Sequence, residues 1–522
     1  MSSLLHVGEV VGANAAIYPD RIGTRDLARS LTFRQWNERS SRLANALLAL
    51  GLAKGDRVAV LAYNCVEWME IYVAMAKAGL VAVPINFRLL GPEIQYIAEN
   101  AEVAAFIVQH DLVERVEEVR AALSIPRTRY VHFGRPDNPS GYRSYEDLIA
   151  RASASDPAVA VLPQDTWTLM YTSGTTGRPK GAMRNHGASA IHHLTLALDL
   201  GFTPSEIGLL VMPMCHANSL FFCFTCTVRG ATAFVYDRRS FEPEHLLRTF
   251  SEQKISFTSL VPTHYITMLG LPDAVKRKYD AASLSKLLIS SAPARRETKL
   301  GIMAHFKNSQ LFEMYGSTEA GLVTVLRPDE QLTKLGSIGR EMTGTGRIKL
   351  LDDDGNEVAA GQAGELYSRS PYTFQGYWKL PDKTAEAFRG PYCTVGDIAR
   401  RDEDGYYYLV DRKKNMIISG GENVYPSEVE SVLGGHPGVK DVAVIGLAHE
   451  KWGESVHAVI IAHEGSSVTA QELLDWCKGR LAGYKRPQSV SLIRDDEMPR
   501  TATGKILHRV LRERYGGAQP PR

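Results

Sequence analysis

Cysteine is scarce, with six residues in a chain of 522. That density excludes a disulfide-stapled fold, which needs bridges close enough together to stand in for a core. Cys223 and Cys226 form a CxxC, but they lie in the apolar run Leu220-Phe221-Phe222-Cys223-Phe224, so buried thiols are expected rather than a redox or metal pair. Neither sign of charge is in excess: Lys+Arg 60 against Asp+Glu 58 leaves +2. This gives no support for a nucleic-acid partner or a polybasic membrane contact. No apolar run of about 18 residues occurs, so no transmembrane segment is expected. The N-terminal MSSLLHVGEVVGANAA has no early basic stretch and carries Glu9 inside its apolar run, unlike a signal peptide. The final AQPPR matches no retention or anchor signal. A cytoplasmic location follows by default. Repeats and low-complexity tracts are also missing.

What is present is an ordinary globular composition, 44% hydrophobic and 23% charged, in a chain too long for one core. Apolar strand-like runs alternate with helical patterns. Arg57 to Leu61 is followed by a helical stretch from Val66 to Ala78, then by Val81 to Pro84; Ala104 to Val108 and Ala231 to Tyr236 come later. This alternation predicts an α/β fold: a large N-terminal domain of mixed, mostly parallel sheets flanked by helices. Near residue 411 the run Asp411-Arg412-Lys413-Lys414-Asn415 separates two apolar segments and reads equally as a hinge or as a solvated turn at a domain boundary. We therefore expect domains at 1–413 and 414–522. The second is a small mobile α+β unit with strands at Val442 to Gly446, His457 to Ala462 and Val490 to Ile493. Two helices in it would start at the capping boxes Ser427-x-x-Glu430 and Thr469-x-x-Glu472.

The most informative stretch is Thr172-Ser173-Gly174-Thr175-Thr176-Gly177-Arg178-Pro179-Lys180-Gly181. An apolar strand, Trp167 to Tyr171, precedes it, and Ile191, Leu194 and Leu198 follow at helical spacing. A strand–loop–helix context is expected. Glycines let backbone N–H groups turn toward an anion, hydroxyls add donors and Lys180 adds a point charge. Together they suit a polyphosphate. The spacing is not that of a Walker loop.

At this loop the chain resembles the adenylate-forming superfamily, which holds acyl- and aryl-CoA synthetases, luciferases and peptide-synthetase adenylation domains. The resemblance continues in order through Pro213-Met214-Cys215-His216, Ser290-Ser291-Ala292-Pro293, Tyr315-Gly316-Ser317-Thr318-Glu319, Gly396-Asp397, Arg412, Gly420-Gly421-Glu422-Asn423 and Pro499 to Lys505. It implies an ATP-dependent acid–CoA ligase using ATP, Mg²⁺ and coenzyme A. Nucleotide would be held by Thr172 to Gly177, Lys180, Ser291, Ala292, Pro293 and Tyr315 to Thr318. Tyr315 would pack on adenine. Asp397 would accept the ribose hydroxyls, and Arg412 would reach the ribose or α-phosphate. Thr318 and Glu319 join Lys505 as the catalytic set, with Glu319 on Mg²⁺. Lys505 would draw the acid carboxylate and the α-phosphate together. Lys414 would be the hinge, and Gly420-Gly421 would face the CoA channel. Two departures from the pattern stand out: Val395 where threonine is frequent, and Ser290-Ser291 where glycines are common.

The implied acid pocket lies around His216, Thr263-His264, Gly316 and Ala320. The apolar Leu220-Phe221-Phe222 after His216 favours a hydrophobic acid, medium- or long-chain aliphatic or aryl, over a dicarboxylate. Small residues at Gly316 and Ala320 would leave it room. Expected partners are small molecules, with a homodimer left open. An adenylation enzyme passing its acyl group to a carrier protein is the alternative, although a fused carrier domain would have no room after Lys505. A catalytically silent nucleotide-binding scaffold is the non-enzyme alternative.

Overall fold

The computed structural model describes residues 6–172, 179–290, 294–413, 415–419, 422–450, 452–501 and 504–516. The chain divides into two compact units: Met1–Arg347 with Ser368–Cys393, and Ile348–Tyr367 with Thr394–Arg522.

The first unit holds two large sheets. One has nine strands, and six of them run parallel across its centre: Gln310–Ser317, Lys286–Ile289, Phe257–Leu260, Ile207–Leu210, Thr232–Val235 and Ile22–Arg25. The other has eight. Its parallel part runs Thr166–Thr172, Val81–Ile85, Arg57–Leu61, Val103–Gln109, Tyr130–Phe133 and Arg143–Ser144. Central strands such as Arg57–Leu61 and Val81–Ile85 are buried on both faces, as parallel sheets require. The α/β expectation with mostly parallel sheets is met.

The helix Glu67–Ala78 lies almost wholly inside. Three indole N–H groups end on carbonyls in or beside it: Trp36 on Met69, Trp167 on Tyr72 and Trp68 on Tyr63, at 3.0, 3.1 and 2.9 Å. Each tryptophan can thus bury its ring without orphaning its donor. Glu70 is inside too, and it accepts from Arg39 at 2.7 Å and from the Tyr145 hydroxyl at 2.8 Å. A second buried pair joins Lys299, on the helix Arg296–His305, to Glu313 on the strand Gln310–Ser317, at 2.6 Å. The six thiols are buried and free, as expected of the CxxC.

In the second unit an antiparallel sheet orders Lys349–Leu351, Ala363–Tyr367, Asp397–Arg401 and Tyr407–Arg412. A further sheet is built on Gly453–Ala462 paired with Val439–His449, and Ser489–Ile493 joins it in parallel. The Thr469 capping box forms. The Ser427 box does not: the helix begins at Pro426, which lacks an N–H to be capped, with Tyr425 as its N-cap. Ser427 instead donates its N–H to Asp411 at 2.9 Å, and Glu430 accepts from Val444 N–H at 2.8 Å.

Candidate active site

The Gly/Thr loop joins two antiparallel strands, Thr166–Thr172 and Lys180–Asn185, with Thr172 opposite Lys180. The strand–loop–helix expectation is therefore corrected. A strand intervenes, and the helix His186–Asp199 starts six residues after Lys180, capped by the Asn185 side chain. Ser173, Gly174, Thr175, Thr176 and Gly177 lie outside the described residues, as do Ser291, Ala292, Pro293, Lys414, Gly420 and Gly421. The Lys180 ammonium stands 4.0 Å from the Tyr377 ring centre.

Tyr315, Gly316 and Ser317 end the strand Gln310–Ser317, and Thr318 to Ala320 turn the chain into Gly321–Leu326. A Cβ on Gly316 would meet Gly321 O at 2.1 Å, so the hairpin itself demands glycine. That requirement accounts for the glycine at 316 whether or not it also borders a pocket. Ala320 is buried, with its N–H on Ser317 Oγ at 2.9 Å.

The turn is held from three sides. Arg184, buried on Lys180–Asn185, donates Nη1 to Thr318 O at 2.7 Å and Nη2 to Tyr372 O at 2.9 Å. Phe374 N–H donates to Glu319 O at 2.7 Å. The Tyr377 hydroxyl donates to Glu319 Oε1 at 2.8 Å. Burial pushes the Arg184 guanidinium down to about 10, and the Glu319 carboxylate opposes the shift.

In the second unit Asp397 and Arg412 sit opposite each other on paired strands, with Arg412 Nε 3.0 Å from Asp397 Oδ1. Asp397 is buried and so pre-oriented. Lys505 lies on a tight loop. Its carbonyl accepts from Thr501 N–H at 2.7 Å, and its own N–H reaches Thr501 Oγ1 at 3.1 Å. Gly504 supplies the left-handed φ of 83° that this loop requires. Desolvation and the Arg412 charge push the Lys505 ammonium down to about 8, against the pull of Asp397 and Asp411. The residue still meets solvent.

His216 is the N-cap residue of the helix Ala217–Val228. Among the described residues its Nε2 is buried without a hydrogen-bond partner, and burial with the nearby Arg88 pushes its pKa down to about 4. His264 feels the same two influences and also falls to about 4; its ring stacks on Phe241 at 4.1 Å. Both imidazoles are neutral at physiological pH. Thr263 is exposed on the helix Pro262–Leu269. Leu220, Phe221 and Phe222 belong to the main core cluster, where Phe222 packs on Phe257 and Phe221 on His192. Their apolar character is thus accounted for by packing.

Residues 11–378 match the AMP-binding enzyme family, and 428–505 match the AMP-binding enzyme C-terminal domain. The chain belongs to the AMP-binding enzyme family. It is 36% identical over 504 residues to a feruloyl-CoA synthase of Amycolatopsis sp, covering 96% of this chain and 97% of that one. It is also 36% identical over 493 residues to the long-chain-fatty-acid–CoA ligase FadD13 of Mycobacterium tuberculosis, covering 94% of each. ATP-bound MatB from Rhodopseudomonas palustris superposes with a TM-score of 0.88 at 29% identity, covering 98% of this chain and 99% of that one.

This AMP-binding enzyme is an AMP-forming acid–thiol ligase that uses ATP, Mg²⁺ and coenzyme A. Among the described residues no group of three or more His, Cys, Asp or Glu side chains gathers to hold a metal. A lone buried carboxylate such as Glu319 fits Mg²⁺ well, since that ion keeps waters and phosphate oxygens around one or two protein ligands. Sequence reading missed Arg184 and Tyr377 in this AMP-binding enzyme. Both act on the Thr318-Glu319 turn from more than 50 residues away in the chain. No helix among the described residues is long and apolar enough to cross a membrane.

Proposed function

We propose that the enzyme joins an apolar monocarboxylic acid, aliphatic or aromatic, to coenzyme A through an acyl-adenylate. The observation carrying this reading is the shared electrostatic neighbourhood of Lys505, Arg412 and Asp397. A ligase needs a cation where a carboxylate and an α-phosphate must meet. Asp397 is an acceptor suited to ribose hydroxyls, already turned by Arg412.

In the first half-reaction a carboxylate oxygen of the acid attacks the α-phosphorus, and pyrophosphate leaves. Lys505 screens the two anions and aligns them. Lys180 and the Gly/Thr loop receive the leaving phosphates, Thr318 binds phosphate oxygens and Tyr315 packs on adenine. Glu319 would hold Mg²⁺, which supplies charge neutralisation on the phosphates when bound. In the second half-reaction the CoA thiolate attacks the acyl carbon and AMP departs. We place the hinge for the change between them at Lys414, so that 414–522 moves as the C-terminal domain relative to 1–413 and brings Gly420-Gly421 to the thiol channel. The acid pocket is assigned to His216, Thr263, Gly316 and Ala320. Their surroundings offer neutral imidazoles and an aromatic wall at Phe241, which suits an uncharged acid tail. The cytoplasm, where ATP and CoA are both abundant, is the proposed location.

The test is pyrophosphate release with hexanoate to decanoate, benzoate, cinnamates, acetate and malonate, with and without CoA. Release should depend on the acid, turnover should be sustained only with CoA, and kcat/KM should be highest for the medium-chain or aryl acids. Best turnover on malonate or acetate overturns the apolar reading. Sustained turnover on an acyl-carrier protein but not on CoA supports the carrier-protein alternative instead.

A further inference from the structure

Three polar side chains from distant parts of the first unit meet where its parallel strands end. Asn218 is on the first turn of Ala217–Val228, Ser259 is on Phe257–Leu260, and Ser290 directly follows Lys286–Ile289. Asn218 Nδ2 lies 2.9 Å from both Ser259 Oγ and Ser290 Oγ, and the two hydroxyl oxygens are 3.1 Å apart. Both serines are buried, whereas Asn218 is partly open.

Proton counting fixes which way the amide faces. If its oxygen faced the serines, both hydroxyl protons would be used on it. The serine oxygens would then confront each other at 3.1 Å with lone pairs only. With the NH₂ group inward, its two protons serve the two serines, and one serine donates to the other. All three contacts are then hydrogen bonds. Oδ1 is consequently held outward as an acceptor, and among the described residues it takes no hydrogen bond.

The place matters as much as the orientation. Asn218 stands two residues after His216, at the carboxyl ends of neighbouring parallel strands, where open α/β sheets bind their ligands. The adjoining strand there ends in Tyr315-Gly316-Ser317. We propose that Asn218 is a specificity residue whose amide oxygen accepts a hydrogen bond from a neutral donor on the acid. The acid is then an aromatic one bearing a hydroxyl or an N–H group. This rests on the acid pocket assigned above to His216 and Thr263. A pinned acceptor favours a rigid acid, which brings its donor to one point without freezing many rotors. The flat stack of His264 and Phe241, tilted by 10°, offers a matching wall. An acid lacking the donor would dry the amide oxygen without replacing its bond to water.

The experiment measures kcat/KM for paired acids: cinnamate with its 3- and 4-hydroxy forms, benzoate with its 3- and 4-hydroxy and amino forms, and octanoate. The wild type should prefer the best donor-bearing member of a pair over its parent by about 10–100-fold. Asn218→Leu should bring that ratio close to one without moving KM for ATP. Ser259→Ala retains the amide but loosens its pinning, and it should lower the ratio by a smaller factor; it serves if the leucine variant does not fold. Equal or better use of the unsubstituted acids by the wild type overturns the proposal. So does a ratio unchanged in both variants, or an Asn218→Leu effect confined to KM for ATP. If no acid elicits pyrophosphate release, the ligase reading fails; release without donor preference refutes only the role of Asn218.

Discussion

Lys505→Ala should lower acyl-adenylate formation by about 10²–10³, the usual loss when a preorganised group aimed at developing charge is removed. Transfer from supplied acyl-adenylate to CoA should remain largely intact, because that step has no carboxylate and phosphate to bring together. Among the described residues the loop around Lys505 is tied through its backbone, Thr501 Oγ1 and the Arg500 side chain, with no bond from the Lys505 ammonium, so truncation should leave the loop in place. Single-turnover measurement of each half-reaction decides the matter, and equal losses in both would reassign Lys505 to general stability. A pH signature accompanies it. The ammonium is held down to about 8, so it is charged below that value and loses its proton as pH rises through it. The kcat/KM for ATP, which reports the free enzyme, should therefore fall above about pH 8. Lys505→Arg, whose guanidinium stays charged, should lose that break even if its rate is lower.

Glu319→Ala should reduce ATP–pyrophosphate exchange at saturating Mg²⁺ by at least about 10², comparable to the loss of another preorganised electrostatic group. The carboxylate is buried, receives the Tyr377 hydroxyl and lies on a turn whose preceding carbonyl is fixed by Arg184. Such support leaves the group little freedom, and among the described residues no group of three or more His, Cys, Asp or Glu side chains gathers that could take over its role. Tyr377→Phe keeps the carboxylate but removes its hydrogen bond, and a smaller loss is expected there. Exchange activity of Glu319→Ala within about threefold of wild type would remove Glu319 from the site.

Much of this was legible in the residue order, for a physical reason. Apolar runs such as Arg57 to Leu61 and Ala104 to Val108 have no other stable home than a covered sheet, and both form parallel strands. The ordered motifs placed the chain in its family because each carries a demanding local geometry. The misses have a different origin. Lys180–Asn185 pairs with strands on either side, yet its sequence KGAMRN is too short and too polar to signal a strand by itself. Arg184 reads as a solvated charge until the fold brings it under Thr318, 134 residues later. Pro426 moved the helix start two positions earlier, with Tyr425 as N-cap, and so freed Ser427 from its capping role. Asn218 and Ser259 carry no signal of their own and Ser290 stood out only as a serine where glycine is common, and only the strand order makes the three a cluster.

The buried Lys299–Glu313 pair also constrains how this protein can change over time. Losing either partner strands the other charge in the interior, a step that costs about 3–5 kcal/mol, while exchanging both for apolar residues of similar volume is often neutral or favourable. The two positions are therefore separated from a hydrophobic solution by a valley that no single substitution crosses. Because Glu313 stands two residues before Tyr315, lineages should inherit the helix Arg296–His305 and this strand as one linked unit, drifting together or hardly at all.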